Sequence, residues 1–300
     1  MIDIDLRNLS AERIGPDRGV ELDAELAALG PALDADAAAL LARRGDPAAM
    51  LGWTELAGGQ EDTVARVEAW REGARDRLRD LVVLGIGGSS LGAAAVIHAL
   101  QSGRAVRDGS AARVHFVDNV DAGVVADLME ALDPATTTVN VISKSGTTAE
   151  TMAAYLAFER WLRDALGDAT FRDHVVATTD PESGILRPAA EADGITTFAV
   201  PPSVGGRYSV LSPVGLIPIA AAGIDLRALL RGAARADAAT LRPTGESVPK
   251  LAAAAQLLTH RRGATVNVLM PYSTRMRRVS DWYVQLWAES LGKRVDRAGA

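Results

Sequence analysis

The 300 residues of this chain exceed what one hydrophobic core usually serves, so we expect two domains or one large α/β domain. Hydrophobic residues make up 48% and charged residues 23%, a composition that excludes disorder as the main character of the chain. The net charge of −6, without a dense lysine and arginine run, argues against a nucleic acid or an anionic membrane as partner, and the lack of cysteine excludes disulfides and a cysteine nucleophile.

The N-terminus does not have the pattern of a secreted protein. Residues Met1–Asp5 lack the basic and apolar regions of a signal peptide. No apolar stretch reaches about 18 residues without a charge or a glycine, so no membrane span is expected. Together with the absence of cysteine, these features predict a cytoplasmic protein.

The first 78 residues are rich in alanine, leucine, glutamate and arginine. Their apolar residues recur at helical spacing, as at Val64, Val67 and Trp70. The sequence therefore predicts an N-terminal helical segment over residues 1–78.

Five short apolar runs follow, and each is separated from the next by a helix-like segment. The runs lie at 81–86, 113–117, 138–142, 174–178 and 195–200. The intervening helices are predicted at 92–100, 123–132, 148–166 and 181–192. Continuous apolar runs of this length are typical of strands buried on both faces of a parallel sheet. We therefore predict an α/β domain over 79–225, with a doubly wound parallel sheet and flanking helices.

The alternation restarts near the end of the chain. Helices are predicted over 226–241 and 248–262, a strand over 264–270, and a helix over 279–291. One strand and one helix cannot bury both faces of a sheet. We therefore predict linker helices and the start of a second, incomplete α/β domain over 226–300.

A glycine-rich loop, Gly85–Gly92, lies where the first predicted strand ends and a helix begins. Its glycines let the backbone turn tightly and approach a ligand closely, and the helix N-terminus offers free N–H groups to an anion. A dinucleotide fingerprint is the rival interpretation, but the spacing G-x-G-x-x-S and the late acidic residue Asp118 fit it poorly. A glycine-rich turn without a ligand is the remaining alternative.

A second loop, Ser143–Thr151, also follows a predicted buried strand and precedes a helix. Its clustered hydroxyls and its glycine can surround a phosphate with neutral donors. A simpler interpretation is that Thr147 or Thr148 caps the helix, with Glu150 completing a capping box. Both interpretations can hold together. The glycine-rich loop at the end of another predicted strand favours phosphate binding, because ligands of open α/β sheets bind at the carboxyl ends of the strands.

Four segments in this order resemble the glucose-6-phosphate isomerase family, and its bacterial branch in particular. They are Gly85–Gly92, Ile142–Thr148, Gly205–Ser212 and Gln285–Lys293. The first two alone would indicate only a sugar-isomerase (SIS) domain, a flavodoxin-like phosphosugar-binding fold. The last two are more specific.

The resemblance implies a role for each matching residue. The phosphate-binding positions of the family match Gly88, Ser89, Ser143, Lys144, Ser145, Gly146, Thr147 and Thr148. Glu289 matches the base that moves a proton between C1 and C2, and Arg207 matches the arginine that stabilises the enediolate. Gln285 is four residues before Glu289, so both project from one helix face toward the substrate.

That helix has another interpretation. Asp281, Gln285, Glu289 and Lys293 recur every four residues, which is also the pattern of a solvated face stabilised by side-chain pairs.

The resemblance further implies reversible interconversion of glucose 6-phosphate and fructose 6-phosphate through an enediol, in glycolysis and gluconeogenesis. No cofactor and no metal are expected, and the complete protein is expected to be a homodimer. In the family a histidine and a lysine beyond the glutamate motif serve ring opening and substrate contact, and residues 294–300 contain neither. We therefore expect the C-terminal part to be missing. The alternative is a non-catalytic phosphosugar-binding module or an inactive fragment.

Overall fold

A parallel sheet forms the centre of the structure, a computed structural model that describes residues 2–295 and residue 299. Its strands are β1 Asp80–Leu84, β2 Arg113–Val117, β3 Thr137–Ile142, β4 Val175–Thr179 and β5 Thr196–Ala199. All of them pair in parallel, in the order β2-β1-β3-β4-β5. The apolar runs of the sequence therefore form the strands predicted, and the doubly wound parallel sheet is confirmed.

The helices of the described residues follow the predicted pattern. They are α1 Ala11–Ile14, α2 Leu22–Leu41, α3 Glu61–Gly73, α4 Leu91–Leu100, α5 Gly103–Arg107, α6 Ala122–Ala131, α7 Ala149–Leu166, α8 Leu186–Ala192, α9 Pro213–Ala221, α10 Leu226–Thr240, α11 Val248–Arg261 and α12 Arg277–Leu291. Among these described helices, none is long and apolar enough to cross a membrane. The helix predicted from residue 181 begins at Leu186, because a turn around Asp180 takes up the preceding residues.

Helices cover both faces of the sheet. Val82 and Leu84 of β1 pack in one core with Phe158 of α7, whereas Leu81 and Val83 pack in a second core with α3 and α9. The strand residues are fully buried, and each buried side chain of this size stabilises the fold by about 1.5–3 kcal/mol. Burial on both faces fixes β1 and β3 as the rigid centre from which the functional loops emerge.

The chain forms two compact units. One comprises Met1–Gly58 with Ala228–Leu269, and the other comprises Gly59–Arg227 with Met270–Ala300 and holds the sheet. In the first unit, Leu29 and Leu258 share a small core, and the buried Lys250 ammonium lies 2.7 Å from Asp34. Each of these units combines two segments that are distant in the sequence. The predicted domains 1–78, 79–225 and 226–300 are consecutive segments, and that division stays a prediction. Residues 1, 296–298 and 300 of those segments lie outside the described residues.

The strand predicted over 264–270 is wrong. These residues have no strand structure, because a strand needs a neighbour for its ladder of hydrogen bonds and none of the described strands pairs with them. The helix predicted after it forms as α12, and α12 packs against α4 beside the sheet. The expected start of a second sheet is therefore not formed by the described residues.

An ion cluster ties the amino ends of β1 and β2. The Asp80 carboxylate is buried and accepts hydrogen bonds from the Arg113 guanidinium at 2.6 and 2.7 Å, and His115 Nε2 lies 2.8 Å from it. Burial works against ionisation of Asp80, but the hydrogen bonds from His115 and Arg113 outweigh it, so the pKa of Asp80 lies below its usual value. The folded state therefore favours the ionised carboxylate.

We predict that Asp80→Asn lowers the free energy of unfolding at pH 7 by about 2 kcal/mol, because it removes charge-assisted hydrogen bonds. A lowered pKa contributes stability above the unfolded pKa of about 3.9, and that stability is lost as the pH falls through the folded value. Urea titrations from pH 7 to pH 3 should show the two proteins converging in stability on acidification. A constant difference over this range would contradict the role given to Asp80.

Candidate active site

The candidate site lies at the point of the sheet where the order of strand addition reverses. The chain runs from β1 outward to β2 and then returns to β3 on the other side of β1, so the loops after β1 and β3 leave the sheet side by side. Ligands of open α/β sheets bind in the crevice at this point. Here the crevice is a cavity of about 390 Å³ lined by Ile86, Ser89, Ile142, Ser143, Lys144, Ser145, Thr148, Thr151, Asp180 and Ser183.

The loop after β3 turns its hydroxyls toward one another. Ser143 Oγ accepts from the Gly146 N–H at 3.0 Å and lies 3.2 Å from Thr148 Oγ1. Ser145 Oγ and Thr147 Oγ1 are 2.8 Å apart. Gly146 has a φ of +68°, a conformation that glycine adopts without strain. The loop therefore presents several rotatable donors, although Gly146 and Thr147 are not among the residues that line the cavity.

The N-terminus of α7 points into this loop without a side-chain cap. Thr148 occupies the N-cap position, yet its hydroxyl makes no capping hydrogen bond. The capping box considered from the sequence is therefore absent at Thr148, and the N–H groups of the first turn stay available. Such a helix end attracts an anion through those N–H groups and the helix dipole.

Lys144 lies in the cavity wall, but its ammonium is engaged elsewhere. Lys144 Nζ donates to the carbonyl oxygen of Pro202 at 2.7 Å. This bond ties the loop after β3 to the loop after β5. An anion in the cavity would therefore meet mainly hydroxyl and N–H donors.

The loop after β4 supports the hydroxyl loop, and the sequence reasoning did not identify it. Asp180 and Ser183 line the cavity, and a Cβ added at Gly184 would collide with the Ser145 carbonyl. The pKa of Asp180 is lowered, mainly by the N–H of Glu182, which donates to its carboxylate. One feature of the sequence could have indicated this loop: its polar residues directly follow a buried strand.

Arg207, Gln285 and Glu289 form a second cluster. Arg207 Nη1 lies 3.4 Å from Glu289 Oε2, and Gln285 Nε2 donates to Glu289 Oε1 at 2.8 Å. The Glu289 side chain is 50% exposed, so this ion pair contributes little to stability. The hydrogen bond from Gln285 joins residues four apart on one helix, as expected for a solvated helix face. The contact with Arg207 is different, because Arg207 belongs to a distant segment of the chain.

Three aromatic and hydroxyl neighbours hold Arg207 in place. Its Nε donates to Ser290 Oγ at 3.0 Å, and its guanidinium lies 4.6 Å from the centre of the Tyr208 ring. Tyr208 Oη is 2.6 Å from the same Ser290 hydroxyl, and Trp282 Nε1 donates to the Arg207 carbonyl at 3.3 Å. Sequence reasoning gave no role to these three residues, since their contacts with Arg207 exist only in the folded chain.

The glycine loop joins the cavity to this cluster. Ser89 lines the cavity, whereas a Cβ at Gly87 would lie 2.8 Å from Gln285 Nε2. A Cβ at Gly88 would collide with the carbonyl of Gly206, directly before Arg207. These glycines therefore allow the close backbone approach expected from the sequence. The groups that come close are other parts of the protein, where the sequence led us to expect a ligand.

The cavity and the cluster define an α/β protein with a polar crevice that suits an anionic ligand. Within residues 2–295 and 299, no set of three or more His, Asp or Glu side chains could hold a metal ion. The model of the family described as "Phosphoglucose isomerase" matches residues 61–300, and the chain belongs to this family.

Known relatives extend further than this chain. A glucose-6-phosphate isomerase of Thermus thermophilus is 46% identical over 271 residues, which cover 90% of this chain and 62% of the relative. The corresponding enzyme of Rubrobacter xylanophilus is 42% identical, with 81% and 57% covered. The chain thus spans about three fifths of the length of these curated relatives.

Solved structures show the same fold. The crystal structure of a hypothetical protein from Thermus thermophilus superposes with a TM-score of 0.83 at 45% identity, covering 91% of this chain and 63% of that protein. A glucose-6-phosphate isomerase from Chlamydia trachomatis gives a TM-score of 0.70 at 29% identity, covering 80% and 45%.

We predict that Gly184→Ala weakens the binding of inorganic phosphate by roughly fivefold, because the added methyl displaces Ser145. Gly167→Ala is the matched control. Gly167 also has a positive φ, but nothing lies within 4 Å of its added methyl, so this variant carries backbone strain without a collision. Calorimetric titration with phosphate should separate them, and equal affinities would contradict the buttressing role of this loop.

Proposed function

We propose that this chain supplies the phosphosugar cavity and the proton-transfer groups of a glucose-6-phosphate isomerase, which interconverts glucose 6-phosphate and fructose 6-phosphate. One observation carries the proposal: consecutive residues of the glycine loop touch both the cavity and the cluster around Glu289. A sugar phosphate held in the cavity would extend along this loop toward the carboxylate. Family membership supports the same substrate class.

The cavity suits the phosphate. Phosphate binds well at helix N-termini, and the α7 N-terminus carries no side-chain cap. Hydroxyls of Ser89, Ser143, Ser145 and Thr148 supply neutral donors around it. We assign phosphate binding to these residues, with Gly88, Lys144, Gly146 and Thr147 shaping the loops.

The second cluster suits the proton transfer. Isomerisation removes a proton from one of two adjacent carbons and returns it to the other, so it needs one base and one group that stabilises the enediolate oxygen. We assign the base to Glu289 and the stabilising charge to Arg207, whose guanidinium keeps its proton. Gln285 orients the carboxylate through its 2.8 Å bond. The proton shift has no net redox change, so the proposed step calls for no redox cofactor.

We further propose a cytoplasmic role in glycolysis and gluconeogenesis, and a homodimer for the complete protein. We assign ring opening to groups in the part of the relatives that does not align with this chain. The chain covers 62% of one relative and 57% of another. Proton exchange at the open-chain sugar does not depend on those groups. It is therefore the appropriate measurement on this chain.

We predict that the chain catalyses incorporation of deuterium from D₂O into C1 of fructose 6-phosphate, followed by NMR. Glu289→Gln should slow this exchange by about 10²–10⁴-fold with little change in the affinity for fructose 6-phosphate. Asp281→Asn is the control, because it removes a carboxylate from the same helix and should leave exchange unchanged. Binding without exchange by the unaltered chain would favour a non-catalytic phosphosugar-binding module.

We also predict that Ser145→Ala combined with Thr148→Ala weakens fructose 6-phosphate binding by roughly tenfold or more, since two hydroxyl donors are lost. The loss should be as large for inorganic phosphate, because both residues line the phosphate cavity. An unchanged dissociation constant for both ligands would refute the phosphate assignment.

A further inference from the structure

A second cavity, here called the arginine pocket, lies at the amino ends of β1 and β2. Its volume is about 260 Å³. Its lining consists of Arg79, Val106, Arg107, Gly109, Ala111 and Arg113. The proposed phosphosugar cavity lies at the carboxyl ends of the strands, and the five residues of β1 place about 16 Å between the two. The arginine pocket is therefore separate from the candidate active site.

The three arginines belong to separate segments that backbone hydrogen bonds hold together. The Arg113 N–H donates to the Arg79 carbonyl at 2.9 Å, which joins the start of β2 to the residue before β1. Arg107 lies in the last turn of α5. The Ala111 N–H donates to the Ala105 carbonyl at 3.1 Å and holds the following loop against this helix. The fold therefore places three like charges around one cavity.

Two of the three guanidiniums have no counter-ion in contact. Within residues 2–295 and 299, the Arg79 and Arg107 side chains form no ion pair and no hydrogen bond. Asp108 follows Arg107 in the sequence, but its carboxylate accepts from the N–H and the hydroxyl of Ser110, at 3.1 and 2.6 Å. Its charge acts on Arg107 without a direct contact. Both guanidiniums therefore keep their donors available to a ligand.

Arg113 differs from the other two because Asp80 orients it. Its Nε and Nη2 donate to the buried Asp80 carboxylate at 2.7 and 2.6 Å, and its Nη1 makes no hydrogen bond to the described residues. A guanidinium that is already held on one edge loses less freedom when its other edge binds an anion. Asp80 offsets the charge of Arg113, so Arg79 and Arg107 carry the uncompensated charge of the pocket.

The charge and the volume of the pocket together indicate the class of ligand. Guanidiniums bind phosphate oxygens through pairs of parallel hydrogen bonds. A water molecule occupies about 30 Å³, so a cavity of 260 Å³ has room for roughly eight of them. This space suits the oxygens of a diphosphate better than those of a single phosphate.

We propose that the arginine pocket binds the diphosphate group of a small ligand, at a site distinct from the candidate active site. This site does not depend on the proposed function, since no residue of the arginine pocket lines the phosphosugar cavity. Inorganic pyrophosphate consists of the diphosphate alone and is therefore the probe.

The test is calorimetric titration with inorganic pyrophosphate in the absence of divalent metal ions. Every protein carries Ser145→Ala and Thr148→Ala, which weaken the proposed phosphate cavity at the other end of the sheet. Adding Arg79→Gln and Arg107→Gln should raise the dissociation constant by roughly tenfold or more, because charge-assisted donors are lost. Both side chains are exposed, so the fold should persist, which circular dichroism checks. Inorganic phosphate engages fewer donors and should bind more weakly than pyrophosphate.

Two further variants on the same background separate a built site from general attraction between charges. Arg104→Gln with Arg172→Gln removes two exposed arginines that do not line the pocket, so the affinity for pyrophosphate should change by less than about twofold. Arg79→Lys with Arg107→Lys keeps the charge but loses the paired hydrogen bonds. Its affinity should lie between that of the background and that of the glutamine variant of the same two residues.

Three results would overturn the proposed site. The first is a background protein that does not bind pyrophosphate. The second is an equal loss of affinity in the two glutamine variants, which would indicate attraction by the overall charge. The third is tighter binding of inorganic phosphate than of pyrophosphate, which would assign the pocket to a single phosphate group.

Discussion

The pairing of β1 with β3 is the constraint on which the site depends. Both strands are buried on both faces, so neither can shift without exposing apolar side chains on two sides. Their carboxyl ends are therefore fixed beside each other, and the glycine loop and the hydroxyl loop have to emerge there together. The cavity, the free N-terminus of α7 and the approach of Gly88 to Gly206 all follow from this register.

The charges of the protein are consistent with binding of an anion by neutral donors. The chain carries a net charge of −6, and the lysine in the cavity wall is engaged by the Pro202 carbonyl. Positive charge is placed instead at Arg207, beside the proposed base, where an enediolate would develop. Phosphate binding and transition-state stabilisation are thus proposed for different groups, so the proposed phosphate site needs no excess of positive charge in the protein.

The sequence was sufficient for features that depend on local pattern. Continuous apolar runs identified the strands, and glycine or hydroxyl loops after them identified the cavity wall. It failed for residues 264–270, because an apolar run becomes a strand only beside a partner. It could not identify Ser290 or Gly184, whose contacts with Arg207 and with the Ser145 carbonyl arise only in the folded chain. The functions of Glu289 and the other site residues stay predictions until they are tested.

The most direct test of the central claim is a crystal structure of the chain with bound phosphate. We predict phosphate density at the N-terminus of α7, within hydrogen-bonding distance of the hydroxyls in the cavity between the loops after β1 and β3. Density found instead beside Arg79, Arg107 and Arg113, which line a separate pocket at the amino ends of β1 and β2, would contradict it. So would a cavity that stays free of phosphate at saturating concentration.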